Sequence, residues 1–259
     1  MWNSLLIFFL LILTGCSEVP PRHNPADSNL VQVRDTVLYS ASIGAIAPPV
    51  GYKRIPGGAG SFIDWLRAIP LKKDKTVYLY NGSLKPNQQA QFAVVDISTG
   101  TKDLQQCADA VMRLRAEYLY ARERYTDIAF MDFNGKWYKC PDAANRKTFD
   151  AYLEKVFGWC GSASLEKQLK PVTDFNNIAA GDVLVQGGFP GHAMLVVDMA
   201  VNEKGNKVFM LAQGYQPAQD MHIVNNPMNA ALSPWYEING SEKIVTPEWE
   251  FNKRQLRRW

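Results

Sequence analysis

In the last third of the chain three apolar, β-branched-rich runs at 183–186, 193–199 and 207–212 alternate with glycine-bearing breaks. Such runs, punctuated by Gly187-Gly188, Pro190-Gly191 and Gly205, predict consecutive antiparallel strands joined by short turns. The middle run is almost wholly apolar, which predicts a central strand covered on both faces. Elsewhere the spacing is helical. Phe62, Trp65, Leu66 and Ile69 predict a core-facing helix over 62–68, with Ser61 as its N-cap. Leu104, Cys107, Val111, Leu114 and Tyr118 recur at three and four, predicting a helix over about 103–124 that begins at Asp103. Shorter helices are expected at 149–157 and 164–169, and strands at 76–80 and 92–97. A hairpin of 128–133 and 136–139 is expected around Asn134-Gly135. From Pro217 onward, four prolines predict a largely irregular tail. The fold class expected is α+β: a central antiparallel sheet packed against one long helix.

Composition changes the picture mainly at the N-terminus. At 259 residues, 47% hydrophobic and 20% charged, the chain has material for one sizeable core. A net charge of +3 gives no basis for a nucleic-acid partner, and the basic residues at 253–258 read as a short solvated tail. Residues 5–13 form an apolar run ending in Leu13-Thr14-Gly15-Cys16, which resembles a bacterial lipoprotein signal peptide with Cys16 as the lipidated residue. An uncleaved anchor helix would likewise export the rest of the chain. The expected organisation is a signal peptide at 1–16, a spacer at 17–37 and one domain at 38–259, tethered in the cell envelope outside the cytoplasm. Cys107, Cys140 and Cys160 then remain, so at least one thiol stays free, and a Cys140–Cys160 pair would leave Cys107.

The chain has no Gly-x-Ser-x-Gly elbow, no phosphate-binding glycine loop and no His-Glu-x-x-His. Serine hydrolase, NTPase and zinc peptidase fall in rank, and no metal or cofactor is expected. What survives is a cysteine near a helix start and His192 at the first position of the central strand. The aligned peptide dipoles of a helix N-terminus and a nearby imidazole both lower a thiol's pKa, which would make Cys107 a nucleophile and His192 its general base. Gln213, ending the next run, is the first candidate to orient the ring, with Asp198 and Gln216 behind it. The competing reading is structural. Cys107 lies on the apolar stripe and a full turn inside a helix begun at Asp103, where it would be an inert core thiol, and His192 would merely cap a turn.

Four strings carry a family resemblance: 105–118 (Gln-Gln-Cys-Ala-Asp-Ala-Val-Met-Arg-Leu-Arg-Ala-Glu-Tyr), Gly187-Gly-Phe-Pro-Gly-His-Ala193, 212–222 and Ser233-Pro-Trp-Tyr236. Together with Trp65-Leu-Arg67 and the segment 80–85 they resemble the DUF4846 family of bacterial proteins, which carries no established activity. A cysteine on a helix, then Gly181-Asp-Val-Leu-Val185, then Gly191-His-Ala-Met-Leu-Val-Val197, is also similar to the papain-like NlpC/P60 and CHAP peptidases. Gln106-Cys107-Ala108-Asp109 stands where those have Asp-Cys-Ser-Gly. That resemblance implies a papain-like core with Cys107 as nucleophile, His192 as base and Gln213 as orienting group. The function expected is a lipid-anchored cysteine hydrolase cleaving an amide bond in cell-wall peptide. The alternative is a non-catalytic envelope binding protein for glycan or peptide, using the same cleft with Gln216, Tyr215, Trp235, Tyr236 and Trp249 around it.

Overall fold

The computed structural model describes residues 40–142 and 144–259, so Cys16, the apolar run before it and the spacer lie outside the described residues. In chain order the strands are β1 (Tyr52–Arg54), β2 (Gln91–Val94), β3 (Ala129–Met131), β4 (Trp137–Lys139), β5 (Lys170–Pro171), β6 (Val183–Gln186) and β7 (His192–Asn202). They continue as β8 (Lys207–Gln213), β9 (His222–Val224), β10 (Trp235–Glu237), β11 (Lys243–Val245), β12 (Glu250–Asn252) and β13 (Leu256–Arg258). The helices are α1 (Phe62–Ala68), α2 (Cys107–Tyr120), α3 (Arg146–Trp159) and α4 (Ser162–Gln168). The chain is thus a mixed assembly of helices and strands dominated by one large antiparallel sheet. The expected single long helix is corrected to two, α2 and α3, each of 14 residues.

The sheet is organised by β7 and β8. Its order runs β2-β9-β8-β7-β6-β13-β5, with β1 added on β7 and β10 on β8. Each long strand therefore holds two partners along its outer edge: β7 pairs β6 through 192–195 and β1 through 200–202. The apolar alternation of β7 supplies two cores. Ala193, Leu195 and Val197 join one buried cluster with α2, whereas Met194 and Val196 join a second with Phe209, Leu211 and Phe251. A bulge between Val196 and Asp198 shifts the phase, so that Met199 faces the second cluster and Ala200 the first. Asp198 is fully buried and paired with Arg54 at 2.7 Å and Arg67 at 2.6 Å. It fastens β1 and α1 to the sheet and is not near Gln213.

Local chemistry explains where the helices start. Ser61 Oγ accepts the Asp64 N–H (3.3 Å) and Asn145 Oδ1 accepts that of Thr148 (3.0 Å), capping α1 and α3. Asp103 does not cap α2. Its Oδ1 accepts the Ala218 N–H at 2.7 Å and Gln106 Nε2 at 3.1 Å, tying the segment before the helix to the loop after β8. The helix begins at Cys107 instead, where Asp109 reaches back to accept the Gln106 N–H at 3.0 Å.

Two further expectations change. Residues 76–80 make isolated bridges rather than a strand. The tail contributes β9 to β13, and its basic end is anchored rather than solvated. Arg258 pairs with Asp182 at 2.6 Å, Arg257 pairs with Glu166 at 3.1 Å, and Arg115 lies over the Trp259 ring. Cys140 and Cys160 are buried free thiols, so the pairing considered between them is not formed. Among the described residues no helix is long and apolar enough to cross a membrane.

Candidate active site

Cys107 is the first residue of α2, not a turn inside it. The residue is half-buried, and its thiol sits among the N–H groups of Cys107, Ala108 and Ala193. These donors and the helix N-terminus favour a thiolate, yet burial wins. Burial, with Asp109 adding repulsion, pushes the thiol up to about 11. Asp109 is itself raised well above the carboxylate range by burial, and its Oδ1 has no hydrogen-bond partner. The expectation of a lowered thiol pKa is therefore corrected: the helix dipole is present but is outweighed by desolvation.

Two glycines set the approach of the elements. A Cβ on Gly214 would lie 2.9 Å from the Gln106 carbonyl and 3.1 Å from Ala110 Cβ, so the end of β8 reaches the start of α2 only because residue 214 has no side chain. A Cβ on Gly191 would lie 2.4 Å from both the Gly188 carbonyl and Ser162 Oγ, so the turn before His192 closes against the start of α4.

His192 is buried at the start of β7, its ring within 4.9–5.8 Å of Tyr215, Trp249 and Phe251. Its Nε2 lies 2.8 Å from Gln213 Oε1. The Gln213 amide nitrogen lies 2.8 Å from Glu248 Oε2 and 3.0 Å from His222 Nε2. Glu248 is also paired with buried Lys85 at 2.7 Å, and His222 Nδ1 contacts the Asp220 carbonyl at 2.9 Å. Burial lowers both histidines, His192 to about 4 and His222 to about 3, so both rings are neutral at neutral pH. Burial likewise pulls the Lys85 ammonium below its ordinary value, with Glu248 opposing.

Strand alternation puts His192 and Gln213 on the Met194–Leu211 side of the sheet, opposite the side that α2 covers. The thiol and the ring meet only around the end of the sheet, in a cleft of about 430 Å³ that both line. They are not hydrogen-bonded to each other. Tyr215, Gln216 and Trp249 line the same cleft, with Phe189 fully exposed at its rim. Trp235 and Tyr236 do not line it. Trp235 is buried with its Nε1 donating to the Ala47 carbonyl, and Tyr236 is buried with its hydroxyl on the Asn225 carbonyl. Both pair with the middle of β8, away from the Gln213 end. Lys85, His222 and Glu248 are the participants that sequence reasoning missed. His222 and Lys85 stand inside strings read for family resemblance, but Glu248, in the loop before Trp249, gave no signal at all. Among the described residues no group of three or more His, Cys, Asp or Glu side chains could hold a metal ion.

The sequence matches the family described as Domain of unknown function (4846) over residues 44–141 and 132–258, together most of the chain. The chain belongs to the DUF4846 family. No curated protein and no solved structure matches it, so the likeness to NlpC/P60 and CHAP peptidases gains no support from comparison. Every site residue named above falls within the DUF4846 matches.

Proposed function

We propose that this DUF4846 protein is a lipid-anchored envelope cysteine hydrolase that cleaves an amide bond, with cell-wall peptide as its substrate class. One observation carries the reading: a half-buried cysteine at the first residue of a helix lines the same cleft as an imidazole whose Nε2 is fixed by Gln213. In this reading the core is used in a papain-like way, with Cys107 as nucleophile, His192 as base and Gln213 as orienting group. The resting pair is a neutral thiol and a neutral imidazole. As the sulfur attacks the amide carbonyl, its proton passes to His192, which then delivers it to the leaving amine; a water later releases the acyl group. Backbone N–H groups at the start of α2 offer the developing oxyanion a place. Tyr215, Gln216 and Trp249 would contact the substrate.

A second reading has a specific observation in its favour. A thiol pushed up to about 11 and without an imidazole partner suits a non-catalytic cleft that binds glycan or peptide. The test is incubation of the purified full-length chain with wall-derived peptides. Hydrolysis is expected, with Cys107→Ala losing at least about 100-fold of the rate. Binding of the peptides without turnover by the wild type, or turnover that survives Cys107→Ala, would remove the hydrolase reading.

A further inference from the structure

The Gln213 amide is the hinge of a buried relay whose outer members have no evident place in the chemistry proposed above. An amide can meet a histidine nitrogen in two ways that differ by a flip about its last bond. With the oxygen toward Nε2, the ring must carry its proton there and Nδ1 is left with a lone pair. With the nitrogen toward Nε2, that atom must accept, the proton moves to Nδ1, and the lone pair needed to take a proton from a thiol is lost.

The two groups at the other end of the amide decide between these states. Glu248 is a carboxylate beside the Lys85 ammonium at 2.7 Å, so it accepts hydrogen bonds and cannot donate. His222 places its Nδ1 2.9 Å from the Asp220 carbonyl, so that nitrogen carries the hydrogen and Nε2 accepts. Both therefore demand the amide N–H₂, and the geometry meets the demand at 2.8 Å and 3.0 Å. A flipped amide would set its oxygen against two acceptors in a site from which water is excluded. The oxygen is thereby aimed at His192 Nε2, 2.8 Å away.

We propose that Glu248, paired with Lys85 and assisted by His222, is a positioning residue that fixes the tautomer of His192 through the Gln213 amide. The proposal rests on His192 serving as the base for Cys107, but the tautomer can be read without substrate. Glu248 touches no reacting atom in this scheme and acts through Gln213. Phe251, stacked on His192, and Trp249, tilted against it, hold the plane of the imidazole, and the relay selects which edge is protonated.

The test uses the full-length chain in detergent micelles with ¹⁵N-labelled histidine, and reads His192 by long-range ¹H–¹⁵N correlation at pH 7. The wild type is expected to show the Nε2–H form alone. Glu248→Gln can present either face of its own amide, so about one molecule in ten or more is expected to carry the Nδ1–H form. Glu248→Asp, which keeps an acceptor, is expected to restore much of the single form. Iodoacetamide labelling of Cys107 should fall in Glu248→Gln in proportion to the Nδ1–H fraction, by about a tenth or more. An Nδ1–H wild type, or a folded Glu248→Gln that stays wholly Nε2–H, overturns the proposal. Should Glu248→Gln not fold, the double variant Lys85→Met/Glu248→Gln, which leaves no unpaired ammonium, is read in the same way, and an unmixed tautomer there overturns the proposal equally. A tautomer that responds to Glu248 in a protein whose Cys107 proves unreactive supports the relay and removes only the hydrolase reading. A reactive Cys107 with a tautomer indifferent to Glu248 does the reverse.

Discussion

At the scale of single residues, desolvation decides the chemistry. The first turn of α2 and the Ala193 N–H favour a thiolate at Cys107, yet the sulfur is pushed up to about 11 and His192 down to about 4. The productive form is then the neutral pair, which exists above the imidazole value and below the thiol value. Hydrolysis measured as kcat/KM should be flat from about pH 5 to about pH 10, with its acid limb near 4. A bell centred near neutrality would point instead to a preformed thiolate–imidazolium pair. The same two histidines set a stability profile. Their ordinary value is 6.5, and the folded values are about 4 for His192 and about 3 for His222. Below pH 6.5 the unfolded chain binds protons that the folded chain refuses, so stability is full above that pH and falls as pH drops toward 4. Each histidine contributes a slope of about 1.4 kcal/mol per pH unit in that window. Urea unfolding between pH 8 and pH 4 should show the fall, and His222→Gln should roughly halve the histidine part of it.

At the scale of elements, the site depends on how closely the end of β8 meets the start of α2. Gly214 sits at that contact with its would-be Cβ 2.9 Å from backbone, and backbone cannot swing aside as a flexible side chain can. Gly214→Ala is expected to cost about 1–3 kcal/mol by forcing the two elements apart. It should also cut Cys107 labelling well beyond what the stability loss explains, because the displaced element carries the thiol. Labelling equal to wild type in a folded Gly214→Ala protein would show that the approach is not what sets the sulfur. The late start of α2 follows from similar competition. Asp103 is a good N-cap by residue type, but its carboxylate is engaged by the Ala218 N–H from a loop distant in sequence. Local propensity lost to a tertiary hydrogen bond, and the consequence is that Cys107 heads the helix.

At the scale of the whole molecule, the last strand is set inside the sheet rather than at its edge. β13 pairs with both β6 and β5, and its arginines fasten to Asp182 and Glu166. The tether proposed at the other end rests on Leu13-Thr14-Gly15-Cys16. Cys16→Ser is expected to abolish fatty-acid labelling and to leave the precursor uncleaved or misplaced. Labelling equal to wild type would remove the lipoprotein assignment. The folded body that such a tether would present keeps its cleft at one end of the sheet, where the loops before β7 and after β8 converge with the start of α2.

What the sequence determined by itself is what periodicity and turn chemistry encode. β6, β7 and β8 were legible because buried central strands need unbroken apolar runs and glycine breaks, although β7 runs on to Asn202, past the end of its apolar run at 199, where it pairs with β1. α1 and the β3–β4 hairpin were legible from spacing and from Asn134-Gly135, and α3 was legible in place but not in length, since its Asn145 cap starts it a turn earlier. His192 and Gln213 could be picked out because a polar residue ending such a run must have a partner. Tertiary structure alone decided the rest. Which short strands join β7 and β8 depends on edge pairing between segments far apart in sequence, a contact that leaves no local pattern. The bulge between Val196 and Asp198 shifts the faces of β7, and Arg54 and Arg67, far away in sequence, meet the carboxylate it turns inward. Trp235 and Tyr236 look like cleft aromatics in sequence and are core because their strand pairs with the middle of β8. Glu248 and Lys85 look like ordinary surface charges; they meet at 2.7 Å beneath Gln213 because the loop before β12 folds over the end of the sheet. A buried charge pair is specified by the geometry that excludes water around it, and one-dimensional pattern does not carry that geometry.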